Sequence, residues 1–140
     1  MIEKTTKQEE WDVWLDKQVK YLRLHKFDQL DLDNIVEELE DLGREQRNAC
    51  KSFCRQIIVH RLLIDYWHEQ AQTRNHWRAE VVSFQSELQD RLTTNYRKYL
   101  TENLQLIYKQ SRKIVEYKTE LSDRFPENCP YTIEQIIEED

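Results

Sequence analysis

Apolar residues recur three and four positions apart along most of the chain. The longest such run is Leu32, Ile35, Leu39, Leu42, Gln46, Cys50, Phe53, Ile57, His60, Ile64 and Trp67. A seam of this kind is what one helix presents to a neighbouring helix. It predicts a single long helix from about Leu32 to His68, with Leu39 and Leu42 inward. Gly43 lies beside the seam. A glycine there lets a neighbouring helix come close, or else bends the helix. Upstream, Trp11, Trp14, Leu15, Val19 and Leu22 form an apolar stripe on a first helix from about Lys7 to His25. Thr6 and Glu9 supply a capping box for it. "KFDQLDLD" reads as a loop with Phe27 and Leu30 tucked in, and Asp31 or Asp33 caps the next helix. A third helix spans roughly Asn75 to Leu92, with Trp77, Val81, Phe84 and Leu88 inward. A fourth starts near Thr93 as N-cap and carries Leu100, Ile107, Ile114 and Leu121 at heptad spacing. Thr132 and Gln135 form a capping box for a short last helix.

Composition strengthens this all-α reading. One glycine and two prolines in 140 residues leave few of the residues that hairpins require. The predicted architecture is an antiparallel bundle of about four main helices plus a short C-terminal helix, in one domain over residues 1–140. No apolar run reaches the roughly 18 residues of a membrane span. The charged N-terminus lacks the apolar region of a signal peptide. Three cysteines fit reduced thiols, so a cytoplasmic location without membrane contact is expected. The net charge of −6 hides segregation: residues 28–45 carry −7, whereas residues 46–78 and 91–124 each carry +4. Segments of opposite sign suit helices that attract one another or a surface for a charged partner.

Candidate chemistry begins with the acidic stretch "EELED". Glu37 and Asp41 share a helix face, and Glu38 with Asp41 makes an E-x-x-D pair able to chelate a divalent cation. All-α nucleotide pyrophosphatases combine an E-E-x-x-E element with a later E-x-x-D, a part that Glu87 and Asp90 could play. Glu120 and Asp123 make a third such pair, so the pattern is what chance produces among 27 acids. A solvated or salt-bridged face is the favoured reading. His60 falls on the dry seam, as a core histidine would. Cys50 and Cys54 lie one turn apart and with Cys129 and a histidine could hold zinc, but C-x-x-C spacing is absent and Cys50 falls on the core seam, as a buried free thiol would. The basic stretch 97–118, interleaved with Tyr96, Tyr99, Tyr108 and Tyr117, could meet nucleic acid, although the overall charge opposes it. A single glycine excludes a phosphate-binding glycine loop.

The segments "EELEDLGR", "HRLLIDYW", "NHWRAEVVSF", "LTTNYRKYL", "IYKQSRKIVEYKT" and "FPENCPYTIEQI" resemble the DUF29 family, small proteins abundant in cyanobacteria. The resemblance covers about Trp14 to Ile137. It implies an all-helical domain and no assigned activity. Carried onto this sequence, the family pattern marks Glu37, Glu38, Gly43, His60, Trp67, His76, Trp77, Glu80, Tyr108, Cys129, Pro130 and Tyr131. Arg61 departs from it, standing where a leucine is usual, and "HK" at 25–26 replaces a turn that often holds glycine. The tryptophan often found past the last acids is missing. The resulting expectation is a non-enzymatic interaction module without cofactor. Its partner would be another protein or itself, the product of a neighbouring gene being one such protein. A metal-dependent hydrolase of a phosphate-containing substrate, using Glu37, Glu38, Asp41 or His60, and a nucleic-acid-associated regulator are the alternatives. The apolar loop "FPENCPYT" is expected to fold back as a clasp, with Phe125 and Tyr131 plugging the bundle.

Overall fold

The computed structural model describes residues 9–138, with the side chains of 69–71 left aside. Every regular element among these residues is helical. Six α-helices follow in order: α1 (Trp11–Arg23), α2 (Leu32–Tyr66), α3 (Arg74–Arg91), α4 (Thr94–Glu102), α5 (Leu104–Thr119) and α6 (Ile133–Glu138). Short 3-10 turns at Phe27–Gln29 and His68–Thr73 join α1 to α2 and α2 to α3. Thr6, expected as the cap of α1, lies outside the described residues, and the helix starts at Trp11 with Glu10 as N-cap rather than near Lys7. The chain divides into two compact units, residues 1–45 and 46–140, with α2 contributing to both. Gly43 does not interrupt that helix.

The N-terminal unit is a corner of two helices held by a polar knot. Trp14 is buried, and its indole Nε1–H donates to Asp31 Oδ2 at 2.9 Å. Buried Asn34 donates to the same carboxylate at 2.8 Å, and buried Gln18 accepts the Asp31 backbone N–H at 2.9 Å. A carboxylate at the start of a helix also suits the positive end of its dipole. α1 ends in a Schellman motif: His25 N–H donates to the Leu22 carbonyl and Lys26 N–H to that of Tyr21. His25 therefore adopts a left-handed φ of 58°, the conformation that explains why glycine suits this turn. Few apolar side chains are covered. Val19, Leu22 and Phe27, expected inward, are exposed, because two helices offer only one shared seam.

In the C-terminal unit α3 runs antiparallel to α2. Trp67 stacks on Trp77 at 5.7 Å, His60 meets Phe84 at 5.5 Å, and the Arg91 guanidinium lies 5.1 Å from the Phe53 ring. The chain then turns again. Thr93 caps α4 through Oγ1, which accepts the Tyr96 N–H at 3.0 Å. α4 and α5 run parallel to α2, as the pairs Arg47–Tyr99 and Arg55–Gln110 show. The single helix expected there is divided at Asn103, whose side chain bonds back to the Tyr99 carbonyl at 2.8 Å. Side chains that bond their own backbone in this way bend helices.

α2 is the central helix of this unit. Ile57, Ile58 and Val59 are all buried, and so are Leu62, Leu63 and Ile64. Consecutive burial of that kind exceeds a two-residue seam because neighbours lie on several sides. Along α4 and α5 the heptad expectation holds for Leu100 and Ile107, which are fully buried, and fails for Ile114, which is 40% exposed. Ser111 and Val115 take its place. A straight helix has 3.6 residues per turn, so it drifts about 20° per heptad from a strict seven-residue repeat.

α6 closes the unit. Thr132 N–H donates to Gln135 Oε1 at 2.9 Å, and Gln135 N–H returns to Thr132 Oγ1 at 3.2 Å, forming the capping box. Gln85 and Gln89 of α3 donate to the carbonyls of Ile136 and Ile137, at 3.1 and 2.8 Å.

Candidate functional site

The acidic stretch sits on the N-terminal part of α2. Glu37 and Glu38 are half-buried, Asp41 is ion-paired with Arg44 one turn on, and Glu45 is exposed. His60 belongs to the other unit. Its Nδ1 lies 2.7 Å from the Gln56 carbonyl and its ring rests on Phe84. The two candidates for metal binding thus come from separate surroundings. Of the other acidic pairs, Glu87 is bonded to Arg91 at 2.7 Å, and Asp123 accepts from Ser122. Among the described residues no three His, Cys, Asp or Glu side chains converge as a ligand set.

The seam that carries these acids is not covered. Leu39 and Leu42 are 63% and 52% exposed, contrary to the inward placement that their spacing implies. Leu32 and Val36 are exposed with them. A Cβ built on Gly43 would meet nothing within 4 Å, so among the described residues no neighbouring helix uses the gap it leaves. Ten of the fourteen exposed large apolar residues in the described chain fall between Trp11 and Leu42. Leu32, Val36, Leu39 and Gly43 follow each other by four, three and four residues and form a single stripe on the helix.

The loop "FPENCPYT" has the opposite character. Phe125 and Tyr131 are buried, as the clasp expectation requires, and Tyr66 meets Phe125 edge-on at 6.3 Å. Tyr131 OH donates to Asp65 Oδ2 at 2.7 Å while the Arg61 guanidinium lies over its ring at 4.9 Å. Buried Tyr108 donates to the Pro126 carbonyl. Cys129 N–H donates to Gln105 Oε1 at 3.4 Å, and its thiol to the Tyr131 carbonyl at 3.4 Å. Burial pushes the Tyr108 hydroxyl up to about 12. Burial, and then the hydrogen bond to Asp65, push Tyr131 up as well. The Cys54 thiol rises to about 12, first through burial and then through the neighbouring Cys129 and Cys50.

The remaining motif positions divide between packing and surface. Trp67 and Trp77 stack on each other, whereas His76 is exposed and lies 3.9 Å from Glu80 on the same helix face. Two further surfaces belong to the C-terminal unit. A groove between α2 and α5 is lined by Arg55, Gln56, Gln110, Lys113, Ile114 and Tyr117, the last 78% exposed. A recess between α2 and α3 is lined by Arg61, Ile64, Asp65, Arg78, Val81, Val82 and Gln85. Periodicity marks neither, since each is assembled from two different helices.

The fold and its surfaces define an all-α helical domain with an uncovered acidic-apolar helix face. The family model described as "Domain of unknown function DUF29" matches residues 8–140, and the chain belongs to that family. No curated protein and no solved structure matches it. Among the described residues no helix is long and apolar enough to cross a membrane.

Proposed function

We propose that the protein is an interaction module whose N-terminal unit docks a helix of another protein. The observation that carries this reading is the exposed stripe Leu32, Val36, Leu39 and Gly43 on α2. Large exposed apolar patches mark interaction sites in soluble proteins. A glycine inside a helix costs about 1 kcal/mol relative to alanine. Here no contact among the described residues repays it, whereas a helix packing closely from outside would. Residues 28–45 carry −7, so the complementary occupant is an amphipathic helix with Lys or Arg beside its apolar stripe. Pairing the same face of two copies would bring like charges together. A partner encoded beside this chain's gene fits the same reading.

A photo-crosslinking residue at position 39 of the full chain tests it in the native cell. The expected result is capture of one partner through a basic helix. Leu39→Asp should abolish that capture while leaving stability within about 0.5 kcal/mol, as is usual at exposed sites. Gly43→Ala should raise stability by about 1 kcal/mol yet weaken the complex. Crosslinking at 39 no stronger than at exposed Tyr117, in a protein that sediments as a monomer, would overturn the reading.

A further inference from the structure

We propose that the recess between α2 and α3 is a binding site for a small carboxylate with an apolar body. It is a half-open hollow of about 440 Å³, within the usual range for ligand pockets. The site is distinct from the docking face on the N-terminal part of α2. Its chemistry comes from facing positions of two antiparallel helices, with Arg61, Ile64 and Asp65 on one and Arg78, Val81 and Gln85 on the other.

Ile64 and Val81 are 6% and 5% exposed and form an apolar floor. Two arginines stand over it. Neither has a carboxylate within ion-pair distance among the described residues, although Asp65 lines the same recess. Asp65 is instead bonded by the Tyr131 hydroxyl at 2.7 Å. The same tyrosine ring sits under the Arg61 guanidinium at 4.9 Å. Stacking on a ring fixes the plane of a guanidinium and leaves its edge N–H groups available for an acceptor. Tyr131 therefore holds both the cation and the acid in place, and Tyr131 is itself anchored by the clasp loop.

Two guanidinium groups and one carboxylate give the lining a net charge of +1, which suits a monoanion. Guanidinium forks match the two oxygens of a carboxylate, and such charge-assisted bonds are the strong ones. The apolar floor takes the carbon body beneath. A doubly charged phosphate would fit the charge less well and would leave the floor unused.

The test titrates hexanoate, hexanamide and inorganic phosphate into the full chain and follows backbone amide shifts. Hexanoate should saturate shifts at residues 61–65 and 78–85, and neither the neutral amide nor phosphate should match it. Arg78 is exposed and forms no hydrogen bond or ion pair among the described residues, so Arg78→Gln should keep the wild-type melt. It should weaken hexanoate by about tenfold or more, the scale of one charge-assisted hydrogen bond. Val82 is 65% exposed at the rim, and Val82→Glu should weaken hexanoate comparably by repulsion. Equal binding of hexanamide, equal binding of phosphate, or no saturable shift in those segments would each overturn the proposal. Retained affinity in Arg78→Gln would overturn it too. Binding that also requires a peptide chain, shown by a peptide with a C-terminal carboxylate outcompeting hexanoate by more than tenfold, would overturn the assignment to a free small molecule.

Discussion

Cys50 and Cys54 have no exposed surface, and burial raises both thiols above their ordinary value. Cys129 is half-buried and bonded through Sγ to the Tyr131 carbonyl, with burial again raising it. The thiolate is the reactive species, so a raised and covered thiol reacts slowly. In the native protein Cys129 is expected to label first and more slowly than free cysteine, with Cys50 and Cys54 labelling only on unfolding. Timed alkylation followed by peptide mass analysis reads the order directly. Labelling of Cys54 at the rate of Cys129 would contradict the packing described. For Cys50 the sequence already carried the essential signal, since cysteine on an apolar seam is commonly buried. It could not place Cys129 beside Cys54, because the two lie far apart along the chain and only the folded unit brings them together.

Among the helices, α5 allows a sharp comparison. Ile107 and Ile114 are chemically identical and seven residues apart, but the first is fully buried and the second 40% exposed. Ile107→Ala should cost about 2–5 kcal/mol, the range for a large aliphatic removed from a packed core. Ile114→Ala should cost less than about 1 kcal/mol, because little packed volume is lost. Denaturant melts of the two variants under the same conditions decide the matter, and equal losses would mean that α5 is rotated from the position described. The caps at Thr93 and Thr132 were legible in the sequence because each bond spans only three residues. The division at Asn103 was not legible. One asparagine bonding back to Tyr99 competes with helix continuation without changing the apolar period.

For the whole molecule, the raised groups set a direction for pH. Cys54 and Tyr108 have ordinary values of 9.0 and 10.0, and both rise to about 12 in the folded protein. Between those limits the unfolded chain has lost protons that the folded one still holds, so stability falls as pH rises. The contribution is complete below pH 9.0 and disappears as pH approaches 12. Each group adds up to about 1.4 kcal/mol per pH unit in its window. Thermal melts should thus be level from about pH 7 to 8.5 and drop steeply above pH 10. A melting temperature unchanged from pH 8 to pH 11 would contradict the burial of Cys54 and Tyr108. The uneven distribution of exposed apolar surface is also a property of the whole chain. A unit of about 45 residues is near the size below which a core cannot cover its own apolar groups.

The sequence by itself determined the helical class, most helix limits and the caps at Thr93 and Thr132. These depend on contacts three or four residues apart, which the order of residues states directly. It did not determine which apolar residues are covered. Leu39 and Ile57 belong to one periodic run, yet one is 63% exposed and the other fully buried. Periodicity says which side of a helix is apolar; burial requires a neighbour on that side, and the neighbour is chosen by the tertiary fold. For the same reason Arg61 was visible only as a departure from a family pattern, and Arg78 carried no signal. Their common recess exists only because α3 folds back along α2 and brings two arginines from different helices over one apolar floor.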